Sequence, residues 1–404
     1  MPSLRFSAPA GPPARFALLF AAQFAAVGAM MPFLPAVLQS KGLSAEQVSA
    51  VLAAGSAVRL LAAPAIGRGA DGLGDPRRVL VLAATVAGCT AFGYALVPSD
   101  GGGSAFAALL AAALLHNLFL APVVPLSDAL WLGASRRLRF DYGRVRSAGS
   151  AAFICGAIAA GQVAAMAGPV TVVGLYAAAL LLAAVAAGRL PAEETATARG
   201  RGGTGSAAPL REPAFRWLLP LSALIQGSHA LYYGFSTIHW TAAGLSPGVI
   251  GLLWAEGVVA EVLLFLYGGK LAARLGPFGL ALAAASAGVV RWAVTAETTW
   301  LPALAAAQVL HSITFGAQHL GAMRVLAILP PGQAATAQTL HSSLGAGLAL
   351  GVLTLLSGPL YRHVGGGGFW AMAGLCAAAL PVSLGLRAAL RRREARLARG
   401  AGPA

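Results

Sequence analysis

Long apolar runs separated by short polar breaks fill this chain from end to end. Runs of about 20 apolar residues can cross a bilayer. In the first half they fall near Arg15–Leu38, Gln47–Ile66, Val79–Val97, Ser104–Leu132, Val145–Ala167 and Val170–Ala187. In the second half they fall near Trp217–Thr241, Val249–Leu271, Phe278–Ala296, Leu301–Ala327, Ala335–Leu360 and Phe369–Leu390. One polar interval stands out: Arg189–Pro213, RLPAEETATARGRGGTGSAAPLREP, has no apolar periodicity and is rich in Gly, Ala and Thr. Such a stretch is a flexible linker. The pattern therefore predicts an all-α polytopic membrane protein with twelve transmembrane helices in two six-helix bundles. Their bounds are 1–188 and 214–404, the second with a basic tail, joined by a cytoplasmic linker at 189–213. Two such halves are the layout of many secondary transporters.

Composition supports lipid as the main solvent. Hydrophobic residues make up 58% of the chain and charged ones 10%, against roughly 25% charged in an average soluble domain. The net charge of +15 raises the question of nucleic acid, and its placement answers it. Of the 28 basic residues, Lys41 and Arg362 fall in outside loops and Arg59 and Arg291 within spans, while the other 24 fall in inside segments if the N-terminus is cytoplasmic. This is the positive-inside bias. It predicts a multi-pass protein of a bacterial inner membrane with both termini cytoplasmic, and no nucleic-acid partner. The first span is too long in its apolar part for a secretory signal, and more spans follow it. The run Arg391–Arg393, with Arg396 and Arg399, suits anionic lipid headgroups.

Cys89, Cys155 and Cys376 each lie inside an apolar run, and no C-x-x-C or Cys/His spacing occurs. They read as small packing residues, with no disulfide and no metal. P-loop and H-E-x-x-H motifs are missing from the sequence, so ATP-driven pumping and metal-dependent hydrolysis find no support. The expectation is a protein that is not an enzyme and carries no cofactor. Its partners are then a small-molecule solute and the bilayer, and nothing in the sequence demands more than a monomer.

Ionisable side chains at membrane depth are costly and mark candidate sites. The fourth span, HNLFLAPVVPLSDALW, holds His116, Pro122, Pro125 and Asp128. Its prolines break the helical ladder just before the carboxylate. Arg144 and Arg146 open the next span as candidate cations for Asp128, and such a pair either binds a polar solute or neutralises itself. In the seventh span, His229, Tyr232, Ser236 and His239 recur at three- and four-residue steps with Tyr233 and Trp240 beside them. They predict one polar-aromatic helical face. Gln308, His311, Phe315 and Gln318 do the same in the tenth span, with His319 adjacent. Glu256, Glu261 and Arg291 lie on the spans between. A Glu–Arg–His set of this kind either exchanges protons or forms a structural ion pair with a bridging histidine. Between spans two and three, GRGADGLGDPRR (Gly67–Arg78) reads as a tight inside turn, with Asp71 able to cap a helix start and Arg77 and Arg78 holding the loop inside.

That turn, with Gly67, Asp71, Gly74 and Arg77 at its marked positions, resembles the signature between helices two and three of the major facilitator superfamily. It departs at Asp75 and Pro76, where a basic residue is usual. More specific are PLSDALW at Pro125–Trp131, DYGRVRSAGSAAF at Asp141–Phe153, the stretch Leu224–Phe265, GVVRW at Gly288–Trp292 and QVLHSITFGAQHLGAMR at Gln308–Arg324. These resemble the 3-phenylpropionic acid permease branch, itself similar to lactose permease and other proton symporters. The resemblance spans nearly the whole chain apart from the linker and tails.

It implies roles residue by residue. Asp128 and Arg146 match the carboxylate and arginine that contact sugar in lactose permease, and Arg146 would here meet a substrate carboxylate, which Arg suits by bidentate binding. Phe153 falls where that permease stacks a tryptophan on sugar, and an aromatic substrate would stack there equally well. Arg291 and His311 match its proton-coupling pair. Its proton-carrying carboxylate would lie three residues after the histidine, where this chain has Thr314, so Glu261 is the implied replacement, while Glu256 is peculiar to this chain. The resemblance implies proton-coupled uptake of a small organic acid by alternating access, with an aromatic, phenylpropionate-like acid as the candidate, driven by a proton gradient. The substrate would meet Asp128, Arg146, Phe153, His229, Tyr232, Tyr233 and Ser236, and the proton Glu261, Arg291 and His311. Two rivals remain on sequence grounds: proton-antiport efflux of amphipathic compounds, and a non-transporting assembly or sensing protein on the same fold.

Overall fold

A computed structural model describes residues 11–73, 75–99, 103–138, 142–190 and 208–400. The side chains of 63–73, 133, 135–138, 142–146, 331, 335 and 400 lie outside the described set. Every regular element among the described residues is helical. The chain divides into two compact units, one of Met1–Gly42 with Val58–Ala198 and one of Leu43–Ala57 with Arg199–Ala404.

The first unit holds α1 (Pro12–Ser40), most of α2 (Ala45–Leu73), α3 (Pro76–Ala91), the single turn α4 (Gly93–Leu96), α5 (Gly103–Leu120), α6 (Val123–Leu138), α7 (Tyr142–Ala167) and α8 (Val172–Gly188). Its helices α1 and α7 cross in close contact because two glycines allow it. A Cβ on Gly28 would collide with the Phe153 carbonyl, and one on Gly156 with that of Ala25. Small residues at a crossing let two backbones approach where lipid provides no hydrophobic drive. Beside the crossing, Phe16, Leu19, Phe20, Leu80, Leu126 and Trp131 form a buried core, with Phe16 and Trp131 edge to face at 5.2 Å.

The second unit holds α9 (Pro213–Gly227), α10 (Ala230–Ala242), α11 (Pro247–Tyr267), α12 (Gly269–Glu297), α13 (Leu301–Val309), α14 (Gln318–Ala327), α15 (Ala334–Leu340), α16 (Ala349–Val364) and α17 (Phe369–Gly400). π-helical segments at Ser312–Ala317 and His341–Leu348 join α13 to α14 and α15 to α16. Its core gathers Phe215, Leu218, Leu221, Ile225, Val325 and Leu386. Inside α12 the path turns at Gly276, whose φ of 62° suits a residue with no Cβ, and Pro277 follows it.

Among the described residues, eight helical stretches are long and apolar enough to cross a membrane, the last of them, Thr336–Arg399, running through both final expected spans. The expected Trp217–Thr241 and Leu301–Ala327 are interrupted, the first between Gly227 and Ala230 and the second by the π-helical turn. Pro122 breaks the fourth expected span as its ring dictates, and α6 restarts at Val123 with Pro125 in its first turn, where no N–H is required.

The turn expected at Gly67–Arg78 is shorter than the sequence suggests. Helix α2 continues to Leu73 and takes Gly67 and Asp71 with it. Asp75, not Asp71, caps the next helix, its carboxylate accepting from the Arg78 N–H at 3.2 Å. Gly74 lies outside the described residues. The Arg77 guanidinium donates to the Leu190 carbonyl at 3.0 Å, tying α3 to the end of α8. Of the expected linker, residues 191–207 lie outside the described set, and Ala208–Arg211 form one 3-10 turn ahead of α9.

Within the second unit, the first turns of α2 lie on α16. Arg362 donates to Glu46 at 2.8 Å, and the Ser49 hydroxyl reaches the Leu355 carbonyl at 3.1 Å. Hydrogen bonds from Arg362, from the backbone and from Ser44 hold the Glu46 carboxyl at about 2, against an ordinary value of 4.5. A carboxyl with a lowered folded pKa stabilises the fold above its unfolded pKa, and that contribution is lost as pH falls through the folded value. As pH drops from 4.5 towards 2, the melting temperature of the purified protein is therefore expected to fall more steeply in the wild type than in Glu46→Gln. Parallel curves would contradict the assignment. The effect is modest, since the pair is solvent-exposed.

Candidate functional site

The densest polar assembly in the second unit centres on Arg291 of α12, whose side chain is fully buried. Its Nη1 donates to His311 Nδ1 at 3.2 Å and to Thr314 Oγ1 at 3.1 Å, and its Nη2 donates to Gln308 Oε1 at 3.1 Å. The guanidinium also lies 4.8 Å from the Tyr232 ring and 4.4 Å from the Trp292 ring, both within cation–π reach. No carboxylate among the described residues pairs with it directly. Glu261 of α11 stands one residue away, its Oε2 3.7 Å from His311 Nε2, which is an ion-pair distance and too long for a hydrogen bond.

These contacts fix where the imidazole protons sit. Arginine has no acceptor, so His311 Nδ1 must accept from Arg291, and a neutral His311 keeps its proton on Nε2, facing Glu261. His229 Nδ1 lies 3.0 Å from the Ile225 carbonyl. A carbonyl only accepts, so Nδ1 is the donor, and Nε2 accepts from the Thr314 hydroxyl at 3.2 Å. Thr314 thus receives from Arg291 and gives to His229. The position where the resemblance implies a carboxylate carries a hydroxyl that bridges an arginine to a histidine.

Around this line the aromatic side chains close in. Tyr232 stacks on Trp254 with ring centroids 4.5 Å apart and donates its hydroxyl to Gln308 Oε1 at 3.1 Å. Tyr233 lies 5.7 Å from the His229 ring, and Phe315 stacks on His311 at 5.4 Å. His229, Tyr232, Tyr233, Arg291, His311 and Glu261 are therefore one contiguous group, as their spacing suggests. Ser236 is buried on the same helix as Tyr232, yet its hydroxyl has no partner in this group. His239 leaves it altogether and packs against Tyr361 and Phe369.

The tenth-span stripe divides as well. Gln308 and His311 belong to the Arg291 group, whereas Gln318 donates to Ser222 Oγ at 2.9 Å, itself 3.0 Å from His341 Nε2. The π-helical turn at Ser312–Ala317 separates the two sets, and such bulges recur at functional sites. Glu256 makes no hydrogen bond or ion pair among the described residues. Trp254 and Trp292 were not singled out by periodicity. The signal that could have found them is the indole next to Arg291 in GVVRW and the indole ahead of Glu256 in LLWAEG.

In the first unit, Asp128 sits half-buried in α6 beside Ser127, whose hydroxyl receives Gln23 Nε2 at 2.6 Å. Phe153 lies buried in α7, its carbonyl against Gly28. Arg146 also lies on α7, but its side chain is outside the described set, and so is its expected pairing with Asp128. His116 has a structural role: its Nδ1 donates to the Ala87 carbonyl at 3.0 Å, which leaves Nε2 to accept from the Tyr176 hydroxyl at 2.7 Å. It ties α3, α5 and α8 together.

This arrangement, a buried cation linked through a histidine to a carboxylate within an apolar helical bundle, suits movement of charge through a membrane. The profile of the MFS_1 like family matches residues 14–372. The chain belongs to that family. A probable 3-phenylpropionic acid transporter of Escherichia coli is 35% identical over 361 residues, covering 88% of this chain and 93% of that protein. The maltose permease of Geobacillus stearothermophilus is 27% identical over 353 residues, covering 86% and 87%. Among solved structures, a mutant of the nucleoside transporter NupG superposes with a TM-score of 0.81 at 14% identity, covering 93% of this chain and all of that one, which establishes a shared fold. As a member of this family the chain is a multi-pass membrane transporter and not an enzyme.

Proposed function

We propose that this transporter takes up a small organic acid, probe compound 3-phenylpropionate, together with a proton. It does so by alternating access, as a monomer with twelve spans and both termini in the cytoplasm of a bacterium. The observation that carries the reading is the line Arg291–His311–Glu261, with links of 3.2 and 3.7 Å. Here the proton carrier is Glu261. His311 cannot take a second proton without giving up its bond to Arg291, because Nδ1 is the acceptor in that bond. A carboxylate at the far end of the imidazole can be protonated with the rest of the network intact. The substrate class draws on the 35% identity to the E. coli protein, whose name specifies 3-phenylpropionic acid, and on the aromatic side chains of Tyr232, Tyr233 and Trp254 beside Arg291.

The test is uptake of labelled 3-phenylpropionate into proteoliposomes with and without an inward proton gradient. Accumulation above the equilibrium level that collapses with an uncoupler is the expected result. Faster efflux under the same gradient would mean antiport. No flux in correctly inserted protein would detach this substrate from the fold.

A further inference from the structure

Arg291 is a fully buried cation that, among the described residues, meets only neutral acceptors. Leaving a buried charge without a counter-ion is strongly unfavourable, so the identity of its anion is a question the site itself poses. A guanidinium offers five N–H donors, and His311, Thr314 and Gln308 occupy three of them. Nε is buried with no partner, and one Nη2 hydrogen remains as well. The Gln308 carboxamide is fixed in orientation, because its Oε1 accepts from both Tyr232 and Arg291. Its Nε2 is consequently a buried donor with nothing to donate to. The indole N–H groups of Trp254 and Trp240 are also buried without partners, and both rings contact Tyr232, at 4.5 and 5.9 Å.

Four buried orphan donors thus belong to residues in contact with Tyr232, three at its ring and Gln308 at its hydroxyl. Buried donors are nearly always satisfied, and what would satisfy these is an acceptor-only, negatively charged group between apolar walls. We propose that the carboxylate of the transported acid docks on Arg291 and Gln308, with Trp254 as an additional donor and its apolar part against the Tyr232 and Trp254 rings. This inference rests on the organic-acid reading above and moves the carboxylate from Arg146 to the second unit. The neighbouring π-helical turn, which carries Thr314 just after His311, is the element whose rearrangement would open the buried site.

The site also explains coupling. Empty, the line through His311 joins one cation, Arg291, to one carboxylate, Glu261, with the Glu256 carboxyl within electrostatic reach of Tyr232 and unchanged by binding. A substrate carboxylate adds a negative charge, and a proton on Glu261 restores the original balance, so each of the two favours binding of the other.

Calorimetric titration of the detergent-purified protein with 3-phenylpropionate and with its neutral amide tests the site. Wild type is expected to bind the acid and to bind the amide at least tenfold more weakly. Gln308→Glu builds a counter-ion beside Arg291 and is expected to lower acid affinity about a hundredfold with no loss of melting temperature. Trp254→Phe keeps the stack, removes one donor and is expected to weaken the acid several-fold, which serves if the first variant folds poorly. Wild-type affinity in both variants would overturn the site and leave the acid reading standing. Equal affinity for acid and amide would also overturn the site, since no charge would then be recognised. Failure of wild type to bind either compound would overturn the acid reading and the site with it.

Discussion

Replacing Gly28 by leucine is expected to abolish the folded first unit, and Gly28→Ala to destabilise it by about 1–3 kcal/mol, the range for overpacking a tight contact. The reason is that a Cβ at this position meets backbone, the Phe153 carbonyl, and not a side chain that could rotate away. Relief requires moving α1 or α7 as a body. The reciprocal contact of Gly156 with the Ala25 carbonyl lies on the same crossing, so a shift that relieves one position loads the other. The measurement is the melting temperature of purified protein, together with the yield of inserted protein for the leucine variant. An alanine variant as stable as wild type would show that the crossing is looser than described.

Glu261→Gln is expected to abolish uphill accumulation, a loss of at least a hundredfold in the steady-state gradient, while exchange of internal for external substrate continues. Glutamine keeps the size and the acceptor oxygen facing His311 Nε2–H, so the Arg291–His311–Thr314–His229 line survives, and only the group that titrates is gone. Exchange needs only the loaded carrier to reorient, whereas net uptake needs the empty carrier to return with its carboxylate deprotonated. Unimpaired accumulation in this variant would remove Glu261 from the proton path and leave the second unit with Arg291 and its histidines as a structural network.

Much of this organisation is legible in the sequence, for physical reasons that also mark its limits. Apolar runs and arginine placement reveal a multi-span helical protein because lipid imposes one backbone solution. Pro122 breaks its helix where the ring requires. Arg291 and His311 meet because an arginine and a histidine on consecutive spans have few other partners. Periodicity fails where a helix departs from 3.6 residues per turn. The π-helical turn after His311 sends Gln318 to Ser222 and His341 instead of to Arg291, whereas His239, two turns beyond Tyr232 on the unbroken α10, leaves the group because Tyr361 and Phe369 pack against it. The turn after α2 misleads for a different reason: Gly67 and Asp71 are compatible with a turn, but nothing forbids a helix until Gly74–Asp75–Pro76. Thr314 is visible from the sequence only as a missing carboxylate, and its role as a bridge appears once its two neighbours are placed.

Proton movement on substrate addition tests coupled uptake most directly. In lightly buffered proteoliposomes at about pH 7.5, some three units above the usual carboxylic pKa, little neutral acid is present to cross the lipid unaided. Adding 3-phenylpropionate outside should make the external medium more alkaline in wild type, in proportion to substrate entry, but not in Glu261→Gln or in protein-free vesicles. External acidification, or substrate entry with no proton movement, would contradict the account.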